Sequence, residues 1–251
     1  MKKILMLAPI PVPSSAADFF AAQLPPDLIP PDIQVDYVGC REGGTIMDSY
    51  YELALAEAFT LEAGAQAEAQ GYDLVCVNSM SDTALPALRS RLSIPVVGTA
   101  AATLHFAATL GGRFSMLTMW EPWVPFVRES VAKYGLTDRL ASVRHIGVRP
   151  DTVALLQGKE DIVFDALEKA GRAAIEEDGA AVIVLGSTTM LQSHRYLAER
   201  LPVPVVNPAL VAFKFCQMML DLGLAHSRRP YKQPETVNDG IFSAVQPRYS
   251  S

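Results

Sequence analysis

The chain has 251 residues, half of them hydrophobic and 19% charged, with 21 basic and 27 acidic side chains and a formal net charge of −6. Ten Phe, eight Tyr and two Trp can fill a core, which excludes disorder, and the acidic balance without a basic cluster argues against nucleic acid as a partner. Cys40, Cys76 and Cys216 are too few and too widely spaced for a disulfide framework or a zinc site, which suits a cytoplasmic location.

Along the chain, short apolar runs alternate with longer helical patterns. The first run, Ile4–Ala8, follows two lysines and precedes Pro9, Pro11 and Pro13. It falls short of the roughly 7–15 apolar residues of a signal peptide, so it reads as a first strand. Ile33–Val38 predicts the second strand, and Ile46–Gln70, ending at Gly71, a long helix. Further strands are expected at Leu74–Val77, Ile94–Val97, Phe114–Thr118, Ser142–Val148, Val182–Leu185 and Val203–Val206. Helices are expected at Ala84–Arg91, Ala100–Leu110, Pro122–Tyr134, Glu160–Glu177, Met190–Arg200 and Ala209–Leu222. Continuous β-branched runs mark parallel strands covered on both faces, and their alternation with helices gives an α/β class. No stretch approaches the ~20 apolar residues of a membrane helix. The apolar helix Ala209–Leu222 could serve the core or an interface in a homo-oligomer.

A repeat links two parts of the chain. Tyr72–Ser79 ends a strand on Asn78-Ser79, and a helix and Ile94-Pro95-Val96-Val97-Gly98 follow. Ala180–Ser187 ends a strand on Gly186-Ser187, and a helix and Val203-Pro204-Val205-Val206-Asn207 follow. The offset is 108 at the serines and 109 at the prolines. A duplication predicts two pseudo-twofold-related lobes, residues 1–98 with 208–251 and residues 99–207, each a mostly parallel sheet flanked by helices. Ligands in open α/β sheets bind beyond the carboxyl ends of strands. Ser79 and Ser187 are therefore expected to face one cleft between the lobes, where helix N-termini offer amide N–H groups to a carboxylate or carbonyl.

Two polar runs are candidates for that cleft. Asn78, Ser79, Met80, Ser81 and the following Asp82 and Thr83 form the first, in which Ser81 or Asp82 could instead cap a helix starting at Thr83. Gly186, Ser187, Thr188 and Thr189 form the second, a set of hydroxyls suited to a ligand oxygen or to a cap. Thr118 and Trp120, with Trp123 close by, end a strand and could line an apolar lid or staple the next helix. Of the four histidines, His194 lies about two helical turns beyond Ser187, and His105 reads as a partly buried packing residue that could approach the cleft. No His-x-x-x-His or Cys-x-x-Cys spacing supports a metal, and the common esterase, dinucleotide and nucleoside-triphosphate motifs are missing.

The sequence resembles the Asp/Glu/hydantoin racemase superfamily, most closely its hydantoin racemase branch. The resemblance covers most of the chain. It rests on Asn78-Ser79-Met80-Ser81-Asp82, Ile94–Gly98, Leu110-Gly111-Gly112-Arg113-Phe114-Ser115 with Thr118, Leu140-Ala141-Ser142-Val143-Arg144, Leu185-Gly186-Ser187, Val203–Val206 and Leu222-Gly223-Leu224. It implies two α/β lobes with the active site between them and a mechanism that needs no cofactor. In the family, one cysteine from each lobe exchanges the α-proton of a small substrate. The matching positions here are Ser79 and Ser187. The first strand also departs, with Ala8-Pro9-Ile10-Pro11 where the family often has Asn-Pro-Asn-Thr.

The serine departure has a magnitude. A thiol titrates near ~8.5 and an alcohol nearer the ~15.7 of bulk water, a gap worth about 9–10 kcal/mol in forming the anionic base. A helix dipole supplies ~1 kcal/mol or less. Two-base exchange by bare serine alkoxides is therefore not expected. The resemblance implies an isomerase acting on a small carboxylate or cyclic amide. A hydrolase or lyase using Ser79 and Ser187 is the alternative, and a non-catalytic small-molecule binder is the second alternative.

Overall fold

A computed structural model describes residues 1–151 and 160–248. The chain divides into two compact units, Met1–Gly98 with Ala212–Ser251 and Thr99–Val211. Each contains one four-stranded parallel sheet.

In the first unit β1 (Lys2–Pro11), β2 (Ile33–Cys40), β3 (Leu74–Val77) and β4 (Val96–Gly98) lie in the order β2-β1-β3-β4. In the second, β5 (Phe114–Thr118), β6 (Leu140–His145), β7 (Val182–Leu185) and β8 (Val205–Val206) lie in the order β6-β5-β7-β8. The topology is therefore the same twice, and the repeat extends beyond the two strands that show it in the sequence. The hydrogen bonds repeat as well. Asp73 N–H donates to Lys3 O at 2.8 Å as Ala181 N–H donates to Arg113 O at 2.9 Å, and Val75 pairs with Pro95 O as Ile183 pairs with Pro204 O.

Every residue of β3 and of β7 is buried, because helices cover both faces of each sheet. In the first unit β3 packs with Leu85, Leu88 and Leu92 of α3 (Leu85–Arg91) and its end. In the second, β7 packs with Leu167 and Ala174 of α6 (Phe164–Glu176) and with Leu197 of α7 (Leu191–Ala198). A buried Val or Leu contributes about 1.5–3 kcal/mol, so these strands are where each unit's stability concentrates. The remaining helices are the short α1 (Ala17–Ala21), α2 (Tyr50–Gly64), α4 (Thr99–Leu110), α5 (Val124–Lys133) and α8 (Pro208–Asp221). Among the described residues no helix is long and apolar enough to cross a membrane.

Several boundaries differ from the sequence reading. The helix expected over Ile46–Gln70 is only α2. Ser49 accepts the Glu52 N–H at 3.3 Å, and the Glu52 carboxylate turns back to the amides of Thr45, Ile46 and Met47 at 2.6, 2.9 and 3.2 Å. Those three residues are thereby held outside the helix, with Met47 left-handed at φ 50°. Strands β4, β6 and β8 start or stop up to three residues from their expected ends. The segment after α8 runs over the first unit. Arg228 donates to the Arg89 and Leu92 carbonyls at the end of α3, Arg91 pairs with Asp239 at 2.8 Å, and Arg41 donates to the Val245 and Phe242 carbonyls.

Partial burial opposes ionisation of Glu52, but the amides of Ile46, Thr45 and Met47 outweigh it and hold the carboxyl below its ordinary value of 4.5. A depressed carboxyl stabilises the fold above its unfolded pKa, and the contribution disappears as pH falls through the folded value. Glu52→Gln is expected to cost about 1 kcal/mol at neutral pH, below the roughly 1.5–3 kcal/mol of charged hydrogen bonds because the site is solvent-screened. Urea melts of both proteins should show that gap closing in acid. An equal gap at both pH values would remove the charged cap as its origin.

Candidate functional site

In both sheets the chain passes from the first strand to one neighbour, then crosses to a third strand on the other side. This reversal places the ligand crevice of an open α/β sheet outside the carboxyl ends of β1 and β3, and of β5 and β7. The polar runs Asn78–Thr83 and Gly186–Thr189 begin at the ends of β3 and β7.

In the first unit, the ladder continues one bond beyond β3, from Asn78 N–H to Leu7 O at 2.8 Å. The chain then turns sharply. Ser79 N–H donates to Val77 O at 2.9 Å, and Asp82 N–H to Ser79 O at 3.2 Å. Ser79 is buried, and its Oγ lies 2.7 Å from Ser81 Oγ, which lies 2.6 Å from Thr83 Oγ1. Ser81 N–H also donates to Ser79 Oγ at 3.3 Å. Met80 is half-buried beside them.

The expected helix cap at Ser81 or Asp82 is not formed. α3 starts at Leu85, and its N-cap position is Ala84, with no side-chain cap. Asp82 and Ala84 are left-handed, at φ 49° and 57°. Each such non-glycine residue costs roughly 1–2 kcal/mol. Strain of this kind persists only where the surroundings enforce it. Asp82 is 1% exposed. A Cβ on Gly98 would lie 2.7 Å from its carboxylate, so glycine at 98 makes room for the Asp82 side chain.

The second unit repeats the design with different residues. Gly186 N–H extends the ladder to Leu117 O at 2.8 Å. Ser187 Oγ lies 2.9 Å from Thr189 Oγ1 and accepts the Thr189 N–H at 3.3 Å. Thr188 and Thr189 are buried, while Ser187 is half-buried. Thr118, also buried, packs its backbone against Gly186. Trp120 sits just beyond β5, edge-on to Trp123 at 6.3 Å and under the Arg149 guanidinium at 5.6 Å.

Two expectations about this unit change. The first turn of α7 does not offer free amides to a ligand. Glu160, 5% exposed and 33 residues away in sequence, accepts the N–H and the hydroxyl of Ser193, both at 2.9 Å, and the N–H of Gln192. His105 is exposed rather than partly buried, with Nδ1 2.7 Å from the Ala101 carbonyl and its ring against Tyr134. Burial lowers the pKa of His194, which favours its neutral form. Asn207 was not singled out from the sequence; its side chain accepts the Ala209 N–H at 2.9 Å and caps α8. Asn before Pro at a helix start was the available signal. For Glu160 there was no local signal.

Gly186 tests the backbone packing. A Cβ there would lie 2.7 Å from Leu117 O and 3.3 Å from Thr118 Cα, both main-chain atoms. Gly186→Ala is expected to destabilise by about 1–3 kcal/mol, a Tm loss of several degrees in a thermal melt. An unchanged Tm would show that the β5 and β7 ends can part without cost.

The sequence profile described as Asp/Glu/Hydantoin racemase matches residues 15–216. The hydantoin racemase of Pseudomonas sp. (strain NS671) is 29% identical over 205 residues, covering 81% of each chain. That of Paenarthrobacter aurescens is 28% identical over 204 residues, covering 80% of this chain and 84% of the relative. Among solved structures, the allantoin racemase from Klebsiella pneumoniae superposes with a TM-score of 0.85 at 26% identity, covering 94% of this chain and 95% of the other. With the repeated α/β topology and the matched span, these likenesses place the chain in the Asp/Glu/hydantoin racemase family.

Proposed function

We propose that the chain is a racemase-type isomerase acting on a small, uncharged cyclic ureide of the hydantoin type. Ser79 and Ser187 are the substrate-facing hydroxyls of their respective units. The carrying observation is the repeated hydroxyl pair, Ser79 with Ser81 and Ser187 with Thr189, each at the carboxyl end of a fully buried strand.

Charge favours the ureide over a free amino acid. The runs Asn78–Thr83 and Gly186–Met190 contain no Lys, Arg or His, and their one ionisable side chain is the acid Asp82. The α7 start is filled by Glu160. A substrate carboxylate would meet no countercharge from these segments. A ureide presents carbonyl acceptors and N–H donors, and a hydroxyl can serve both.

The same hydroxyls suit charge stabilisation better than proton abstraction. When a ureide's α-proton passes to a solvent base, negative charge builds on the adjacent carbonyl oxygen, and a proton from water can return to either face. Preorganised O–H and N–H donors at such an oxygen lower the barrier substantially. Ser79 Oγ accepts the Ser81 N–H and shares a hydrogen bond with the Ser81 hydroxyl, which is bonded in turn to Thr83; when Ser81 donates in that pair, the Ser79 proton is free for a ligand oxygen. No His or carboxylate bonds either serine hydroxyl among the described residues, so the activated nucleophile of a serine hydrolase has no base to support it.

Incubation of 5-substituted hydantoins with the protein in deuterated water should show exchange of the C5 proton by NMR. Ser79→Cys with Ser187→Cys should speed that exchange by about 10²–10⁴-fold, the usual range for a positioned general base. Absence of exchange in both the folded parent and the double variant would exclude the racemase reading. Consumption of the ring without exchange would instead support the hydrolase or lyase, and ligand-dependent stabilisation without turnover the binder.

A further inference from the structure

We propose that Glu160 is a positioning residue that sets the geometry of Ser187 and Thr189. This rests on the reading that Ser187 meets the substrate.

The loop 186–190 has two anchors. At its start, Gly186 N–H is bonded to Leu117 O. At its end, the first turn of α7 is held by the Glu160 carboxylate, through the backbone N–H and the hydroxyl of Ser193 and the N–H of Gln192. Ser187, Thr188 and Thr189 lie between these anchors and belong to neither a strand nor a helix. Displacement of the first turn of α7 would therefore pass directly into the hydroxyl pair.

Glu160 is well placed to transmit position rather than to bind ligand through the helix start. It precedes the turn Asp161–Val163, whose Val163 is buried in the same core as Leu117, Met190 and Leu197. Behind it, Phe164 stacks on Tyr196 at 4.6 Å, and the Tyr196 hydroxyl donates to Glu168 at 3.0 Å. The start of α6 is thus packed against the later part of α7.

The residue choice is also costly. Glu160 Oε1 is buried with no hydrogen-bond partner among the described residues, and burial raises the carboxyl above its ordinary pKa. A serine or threonine cap would satisfy a helix start without placing a charge in the interior. Among the described residues, Glu160 and Asp82 are the two buried acids, and they belong respectively to the surroundings of Ser187 and of Ser79.

The test compares Glu160→Gln and Ser193→Ala with the parent by backbone amide NMR and by C5-proton exchange of hydantoins. Glu160→Gln should speed amide hydrogen exchange at 187–189 by about tenfold, the scale of one lost charged hydrogen bond, and leave 78–83 unchanged. It should lower kcat for C5 exchange by a similar factor with KM held within about twofold. Ser193→Ala keeps the backbone bond and should move both quantities in the same direction by less. It also serves if Glu160→Gln does not fold. Unchanged amides at 187–189 in the folded variants would overturn the proposal, as would a lowered Tm with kcat intact. Absence of hydantoin exchange in both the parent and the variant carrying Ser79→Cys and Ser187→Cys would refute the proposed function, and the amide measurement would still decide the role of Glu160.

Discussion

One backbone hydrogen bond in each unit fixes where the polar loop begins: Asn78 N–H to Leu7 O, and Gly186 N–H to Leu117 O. Each is the last rung between two parallel strands, β3 and β7 being buried on both faces. Inside such a sheet the backbone is paired and the side chains are packed, leaving no room for a ligand. One residue further on, the chain leaves the ladder, and its amides and side chains can adopt another arrangement. The position of the last rung therefore decides which residues become available for chemistry.

Each unit must then satisfy a turn that no longer has a ladder, and the solutions differ. The first unit uses three hydroxyls in series and two left-handed non-glycine residues, with Gly98 leaving room for Asp82. The second uses glycine at the last rung, one hydroxyl pair, and a carboxylate brought from another part of the chain. What persists is a serine Oγ that accepts the amide two residues ahead and contacts the hydroxyl of that same residue. The recurrence of this small motif in two otherwise divergent turns is what supports proposing one kind of task for both serines. In the proposed function, the cost of forming an alkoxide, about 9–10 kcal/mol beyond a thiolate, is the reason that task is hydrogen-bond donation.

The outcome for individual elements shows which signals were local. β3 and β7 have the ends expected from their β-branched runs, because a strand buried on both faces is written as an uninterrupted apolar stretch. The long helix expected before Gly71 was over-extended at its start, because Glu52 folds back to bind Thr45, Ile46 and Met47. An Ala- and Glu-rich composition cannot reveal that choice. The expected cap at Ser81 or Asp82 failed for a related reason: the Ser81 hydroxyl serves the turn itself, and left-handed backbone at Asp82 and Ala84 delays α3 to Leu85. His105 follows a helical apolar pattern, yet its own helix and Tyr134 take its ring at an exposed position.

By itself the sequence determined the α/β class, the two copies of one strand–helix–strand pattern, and the serines at corresponding strand ends. These come from periodicity and from residue types read over a few consecutive positions. Only the tertiary structure decided that β1 and β5 complete the repeat as central strands, that the α7 start is occupied by Glu160, and that Gly98 and Gly186 are spaces filled by Asp82 and by the Leu117–Thr118 backbone. Asp82 and Gly98 are distant in sequence, as are Glu160 and Ser193, and Leu117 and Gly186 more so. Contacts of that kind are set by how covered sheets and helices close-pack, which no local pattern encodes.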